Sequence, residues 1–264
     1  MNKRHTPAKS ALRVLELLEF LAEKRQPASV TDIALSLGYP QSSTSVLLKS
    51  LKDAGYFDHD PRTGLYTPNV RISLATGWIE EQLHSEQGLL RMMERVLAAT
   101  GHTVMVGVRQ GTQVRYLHVL QATRAGGFQS KSGLLRPLFR SATGKMLLTT
   151  LPEKEVARLL RAANAKEPDA QLHVALPKAL QERQTAARQG HAISWGTSVP
   201  GAAAMAVLLP SLTGNAPMTL SLGGPIAEIK REQKTLLATL REAVEPFASV
   251  AQTGRPTWAA KVQV

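Results

Sequence analysis

Cysteine is absent from all 264 residues, which excludes disulfides, thiolate metal sites and cysteine nucleophiles and suits a reducing compartment. Long apolar runs are also missing. Residues 1–20 hold none, and the longest later stretch, near Ala202–Leu209, falls far short of the roughly 20 residues that span a bilayer. We expect a soluble cytoplasmic protein with no membrane partner. Acidic residues are scarce, 20 Asp+Glu against 32 Lys+Arg, giving a net charge of +12 and a pI near 10.2. That imbalance is the footprint of a polyanion binder. Internal repeats and low-complexity tracts are absent.

Signatures of catalysis are lacking too. Gly144-Lys145 invites a phosphate-loop reading, but Phe139 stands where the first glycine belongs and Met146 where the Ser/Thr metal ligand belongs. The seven histidines (His5, His59, His84, His102, His118, His173, His191) show no H-E-x-x-H or other ligand spacing. There is no G-x-S-x-G elbow, and Ser141 has no neighbouring base. We expect no catalytic residue, no metal and no cofactor.

What is present begins at Ser29–Tyr56, SVTDIALSLGYPQSSTSVLLKSLKDAGY. Ser29 can cap a helix from Val30, with Asp32 three residues on answering the first-turn amides. Ile33, Ala34 and Leu37 then share a face. Gly38 tolerates positive φ and Pro40 presets φ for a restart, so two short helices meet around a tight turn. In the second, Val46, Leu47, Leu48 and Leu51 are expected to point at a core, while Gln41, Ser42, Ser43, Thr44 and Ser45 crowd a polar N-terminus of the kind that enters a DNA major groove. Gly55 stops this helix, and YFDHDPRTGLY reads as two strands around an Asp-Pro-Arg-Thr-Gly turn, a wing. A three-helix packing unit gives the helical pattern equally well; the hairpin favours a winged helix-turn-helix.

Charge is placed unevenly. Up to Val70 there are 9 Lys+Arg against 7 Asp+Glu, a net of +2, and the remainder carries 23 against 13, a net of +10. Placement still permits phosphate contacts, from Lys49 and Lys52 on the second helix and Arg62 at the wing tip. Lys3, Arg4 and Lys9 form a basic tail that reads either as a minor-groove arm or as a solvated terminus.

The 43% hydrophobic content suits one large domain or two modest ones, and two is the better reading. A first helix runs from about Ser10 to Lys24 on a core stripe of Leu12, Val14, Leu15, Leu18 and Leu21. After the wing, Val70 to about His84 is amphipathic, and Glu86–Thr100 continues as helix to a Gly101 stop. Ile72, Leu74, Trp78 and Ile79 are its apolar residues and suit ordinary packing. His102–Gln121 alternates as a hairpin with Val104, Val106 and Val108 inward, and a third strand is expected near Phe128–Ser132. Helices follow at about 142–150, 152–164 and 178–189. Strands are expected at 192–195, 203–209 and 218–222, then a long helix over 225–250. Helices on one antiparallel sheet make an α+β domain.

SALRVLELLEFL, TDIALSLGYP, LLKSLKDAGY and LYTPNVRI resemble the N-terminal domain of IclR-type bacterial transcription regulators. LRPLFRSATGKMLLTTLP (Leu135–Pro152) resembles that family's effector-domain signature, and Gln189–Pro210 with LSLGGP (Leu220–Pro225) its closing strands. The resemblance implies a winged helix-turn-helix over 1–70, a linker helix over 71–85, an α+β effector-binding domain with an antiparallel sheet over 86–253 and a tail over 254–264. It implies a homodimer or homotetramer on a pseudo-palindromic double-stranded operator, controlled by a small-molecule effector, with Ala142, Thr143, Ser194, Ala204 and Ser221 lining the pocket. Many members carry arginine where Val46 stands, so the bases are expected to be read through Gln41, Ser43, Thr44 or Ser45. The acidic pair that often follows the family's Gly-Tyr is replaced by Ile193-Ser194-Trp195-Gly196, which with a net charge of +10 suits an organic acid. Arg140–Gly144 reads from its residues alone either as a plain Ser141 cap or as an anion site. The competing function is a metabolite-binding protein or enzyme whose winged helix binds protein rather than DNA.

Overall fold

The computed structural model describes residues 8–84, 88–210 and 217–253, with side chains described for 8–77, 88–210 and 217–247. The chain divides into two compact units, 1–82 and 83–264.

The first unit runs α1 (Lys9–Lys24), β1 (Ala28–Ser29), α2 (Val30–Leu37), α3 (Gln41–Asp53), β2 (Phe57–Asp60), β3 (Leu65–Pro68) and α4 (Val70–His84). α1 stops where Arg25 takes a left-handed φ of 52°. Ser29 caps α2 reciprocally: its Oγ accepts from the Asp32 N–H at 3.1 Å while the Asp32 carboxylate accepts from the Ser29 N–H at 3.4 Å. The Ser29 amide, its hydroxyl and Lys24 hold the Asp32 carboxyl below its ordinary pKa. Gly38, at φ 67°, turns the chain, and the Tyr39 N–H donates to the Ala34 carbonyl at 2.9 Å. The strands form one antiparallel sheet in the order β1-β3-β2; β1, only two residues long, gave no sequence signal.

Leu17, Leu21, Ala28, Ile33, Leu48, Phe57 and Tyr66 make the core of this unit. Three expected core residues are exposed instead. Val46 is 68% exposed, and Leu12 and Leu15 are exposed as well. Helical geometry gives the reason: Val46 sits about 200° around the helix from Leu48, so both cannot face inward, and Thr44 takes the inward place one turn before Leu48. On α1 the buried row is Leu17 and Leu21, one turn apart.

The second unit runs α5 (Leu89–Thr100), β4 (Thr103–Gln110), β5 (Gln113–Leu120), β6 (Leu135–Pro137), α6 (Ala142–Leu148), α7 (Glu153–Lys166), α8 (Leu176–Gln189), β7 (Ala192–Trp195), β8 (Ala202–Leu209), β9 (Met218–Pro225) and α9 (Ile226–Thr253). The six strands pair antiparallel in the order β6-β5-β4-β9-β8-β7. Both faces are covered. α5 and α9 bury Met92, Met93, Val96, Ile229, Leu236 and Leu240 against Val104, Val106, Leu220 and Leu222. On the other face Met105, Val114 and Tyr116 meet Leu138, Leu147, Leu148 and residues of α7. Alternation in β4 therefore separates two cores rather than core from solvent.

The strand expected near Phe128–Ser132 does not form; the edge strand is Leu135–Pro137. Two carbonyls of residues 121–134 are taken by side chains: the Thr103 hydroxyl donates to the Phe128 carbonyl, and the Gln121 amide donates to the Ser130 carbonyl. Gly126 and Gly133, both at positive φ, bend the segment away from a ladder. Among the described residues no helix is long and apolar enough to cross a membrane, and no cluster of His, Cys, Asp and Glu is placed to hold a metal ion.

Candidate nucleic-acid interface and effector site

The first site is α3 and the hairpin. Gln41 Nε2 donates to Thr31 Oγ1 at 3.0 Å, tying the start of α3 to α2. Ser43 and Thr44 both turn their hydroxyls back onto the Pro40 carbonyl, at 2.9 and 3.1 Å. Thr44, expected among the base-reading residues, is 1% exposed and belongs to the packing of the turn. A side chain beneath the helix cannot reach a base edge. Gln41, Ser42, Ser45, Lys49 and Lys52 are exposed, and Ser43 half-exposed. Positions 42, 45, 46 and 49 fall in one outward stripe, so Val46, expected in the core, shares the exposed face of α3 with Ser42, Ser45 and Lys49.

The wing tip is built by Asp60. Its carboxylate accepts from the Arg62 N–H at 2.9 Å and the Thr63 hydroxyl at 3.0 Å, and those bonds lower its pKa. Gly64 closes the turn at φ 70°. Arg62 is thereby held outward, its side chain 90% exposed and only loosely paired with Asp60 at 3.8 Å. Lys9 is the exposed first residue of α1, while Lys3 and Arg4 lie outside the described residues.

The second site surrounds the start of α6. Ser141 Oγ accepts from the Gly144 N–H at 3.1 Å and donates to the Pro137 carbonyl at 2.8 Å, so it is a true cap. Gly144 is packed so closely that an added Cβ would sit 1.9 Å from the Leu138 carbonyl oxygen. The sheet then gathers the expected effector residues. Thr143 Oγ1 donates to Ser221 Oγ at 3.2 Å, and Ser221 Oγ donates to the Met105 carbonyl at 3.2 Å. Ser194 pairs with Ala204 across β7 and β8, and Ala204 packs against the cluster holding Ala142 and Met146. All five converge on one face of the sheet. Ala142, Thr143, Ser194 and Ser221 are buried and Ala204 is partly buried.

Four further residues shape this region. The Tyr116 hydroxyl bonds Thr143; burial raises its pKa, and that bond opposes the rise. Gly107 meets the Thr143 methyl, and Gly223 lies beneath the Phe128 ring, where an added Cβ would come within 3.0 Å. The two glycines thus leave room for the Thr143 methyl and the Phe128 ring to pack against the sheet. Inward alternation could have flagged Tyr116, and a double glycine inside LSLGGP could have flagged the close approach at Gly223.

The segment that carries Phe128 is fastened to α9. Arg124 Nη1 lies 3.0 Å from one Glu232 oxygen and 3.6 Å from Glu228, and Arg231 reaches Glu232 at 2.7 Å. Hydrogen bonds from Arg124 and Arg231 pull the Glu232 pKa down to about 2. Below them His102 is 1% exposed, with Nε2 3.6 Å from Glu232. Burial, seconded by the Arg124 charge and opposed by Glu232, lowers its pKa, so the neutral imidazole is favoured.

A winged helix-turn-helix with an outward polar stripe, on one chain with an α+β unit whose hydroxyls converge at a helix start, defines a DNA-binding regulator with a ligand-binding domain. Residues 10–61 match the IclR helix-turn-helix domain and residues 83–248 match the bacterial transcriptional regulator IclR C-terminal domain. The chain belongs to the IclR family of bacterial transcriptional regulators.

It is similar to the HTH-type transcriptional repressor AllR of Escherichia coli, 24% identical over 228 residues, 86% of this chain and 83% of that one. It is also similar to the regulator XynR of the same organism, 26% identical over 151 residues that make up 57% of this chain and 60% of XynR. Two crystal structures share the fold. The IclR regulator of Alicyclobacillus acidocaldarius superposes at a TM-score of 0.72 with 20% identity, covering 93% of this chain and 100% of that one. An IclR homolog of Microbacterium hydrocarbonoxydans, complexed with 4-hydroxybenzoate, superposes at 0.67 with 21% identity and the same coverage.

Proposed function

We propose that this regulator binds a pseudo-palindromic operator as a homodimer or homotetramer in the cytoplasm, and that a small organic acid bound at the start of α6 alters its affinity for that operator. The observation that carries the DNA half is the outward stripe of Ser42, Ser45, Val46 and Lys49, with Gln41 and Ser43 at the helix start and Lys52 and Arg62 beside it. Short hydroxyls donate to or accept from base edges, an aliphatic branch meets a thymine methyl, and the cations meet phosphates.

The ligand half rests on the hydroxyl group of Tyr116, Thr143 and Ser221, with Ser194, Ala142 and Ala204 beside it. None of these is acidic. The Microbacterium homolog complexed with an aromatic acid supports the same ligand class. We assign no reaction to this unit: the Thr143–Ser221 chain ends on the Met105 carbonyl, not on a base that could activate either hydroxyl. Because these residues are buried and Phe128 packs on Gly223 beside them, binding favours an arrangement in which residues 121–134 have shifted, and operator affinity changes through differential binding to the two arrangements.

Thermal melts with aliphatic and aromatic acids against matched amines test the ligand class. Acids are expected to raise Tm and to change the operator Kd; stabilisation by amines alone would sink the assignment.

A further inference from the structure

The exit of α3 is held by residues from another element. α3 ends in a glycine-stopped turn: the Gly55 N–H donates to the Lys52 carbonyl at 2.8 Å, the Tyr56 N–H donates to the Leu51 carbonyl at 2.9 Å, and Gly55 stands at φ 78°. That turn leaves the carbonyls of Ala54, Gly55 and Tyr56 without a helical partner. Two residues at the head of α4 take all three. Arg71 Nη1 donates to the Ala54 carbonyl at 3.1 Å, Asn69 Nδ2 donates to the Gly55 carbonyl at 2.9 Å, and the Asn69 backbone N–H donates to the Tyr56 carbonyl at 3.0 Å.

The same two residues start α4. Asn69 Oδ1 accepts from the Arg71 N–H at 3.0 Å, which makes Asn69 the cap of that helix, and its Nδ2 also donates to Asp58 of the hairpin at 3.3 Å. The Arg71 guanidinium lies over the Tyr56 ring, 4.9 Å from its centroid. Gly55 leaves the space for it, since an added Cβ there would come 2.5 Å from Arg71 Nη1. Ile72, next in the chain, packs on the core of this unit. Arg71 is exposed, yet its head is held against both a ring and a carbonyl, an ordering that costs rotamer freedom.

We propose that Arg71, seated by Asn69, is a positioning residue for operator reading: it locks the exit of α3 to the head of α4, so that the direction of α4 sets the tilt at which Ser42, Ser45 and Val46 meet the bases. This rests on the assignment of α3 as the reading helix. α3 has 13 residues and is about 20 Å long, so a tilt of about 10° about its exit moves its start by about 3 Å, more than a hydrogen bond to a base edge tolerates. The competing role for an exposed cation beside α3 is a phosphate contact, and salt dependence separates the two.

The test takes the duplex that the wild-type chain selects from random DNA, with a scrambled duplex of the same length, and titrates full-length Arg71→Ala and Tyr56→Leu against both over a salt series. Each variant is expected to bind the selected duplex at least about tenfold more weakly, to bind the scrambled one within about twofold of wild type, and to keep the wild-type salt slope. Tyr56→Leu alters no charge, so its loss of selectivity cannot come from a lost phosphate contact. In free Arg71→Ala, amide exchange at Tyr56 and Asn69 is expected to quicken at least about tenfold while Leu17 in the core stays slow. Unchanged affinity for the selected duplex would overturn the proposal, as would equal weakening on both duplexes with a slope lower by about 1, the mark of a phosphate contact. Unchanged exchange at Tyr56 and Asn69 would overturn the joint itself, and equal quickening at Leu17 would leave Arg71 a role in stability alone. Recovery of no shared sequence by the wild-type chain would fail the reading of α3 before any variant is compared, and the proposal would fall with it.

Discussion

At the residue scale, Thr44 and Val46 trade roles. A run of five polar residues at the start of α3 looks uniform in sequence, and only the helix's rotation against α1 and α2 decides which of them face out. Thr44→Ala is expected to cost about 1 kcal/mol of stability through its lost Pro40 bond and packing, with base preference unchanged. Thermal melts and binding to operator variants check both parts. Val46→Ala is expected to relax preference at one base pair, by about 1 kcal/mol in operator-variant titrations, with the salt slope unchanged. Lys49→Ala is expected to weaken all sequences alike and to flatten the log–log salt slope by about 1. Gly144→Ala forces a methyl against the Leu138 carbonyl and is expected to lose about 3 kcal/mol or more, read as a lower Tm.

At the element scale, most of the fold was legible because its signals are local. The Ser29–Asp32 box, Gly38, the Asp60–Gly64 turn and the Gly101 stop are short-range devices that the structure uses as the sequence suggests. β1 and β6 were not legible. The two residues of β1 carry no periodicity, and Phe128–Ser132 looks strand-like while its Phe128 and Ser130 carbonyls are captured by the side chains of Thr103 and Gln121. The ties of that segment to α9 set an acid response. His102 has a lowered folded pKa, so its contribution is present above its unfolded value near 6.5 and declines as pH falls below it. Glu232, depressed from 4.5 to about 2, contributes above 4.5 and is lost as pH falls toward 2. Tm is therefore expected to fall in two stages on acidification, and His102→Gln is expected to remove the upper stage only.

At the scale of the whole molecule, the candidate effector residues came from likeness to a family and the sheet brings them together, yet the Phe128 contact beside them was invisible in sequence. Phe128 reaches Gly223 from 95 positions away, and no local pattern encodes such a contact. The helix-turn-helix, by contrast, carries its own architecture and gives the most direct test of function. That test is selection of binding sites for the purified protein from random double-stranded DNA at physiological salt, where non-specific phosphate attraction is weakened. A two-fold symmetric consensus is the predicted result, with preference at the base pairs facing Ser42, Ser45 and Val46. Recovery of DNA without any shared sequence would contradict the regulator reading and make the winged helix a protein-binding module.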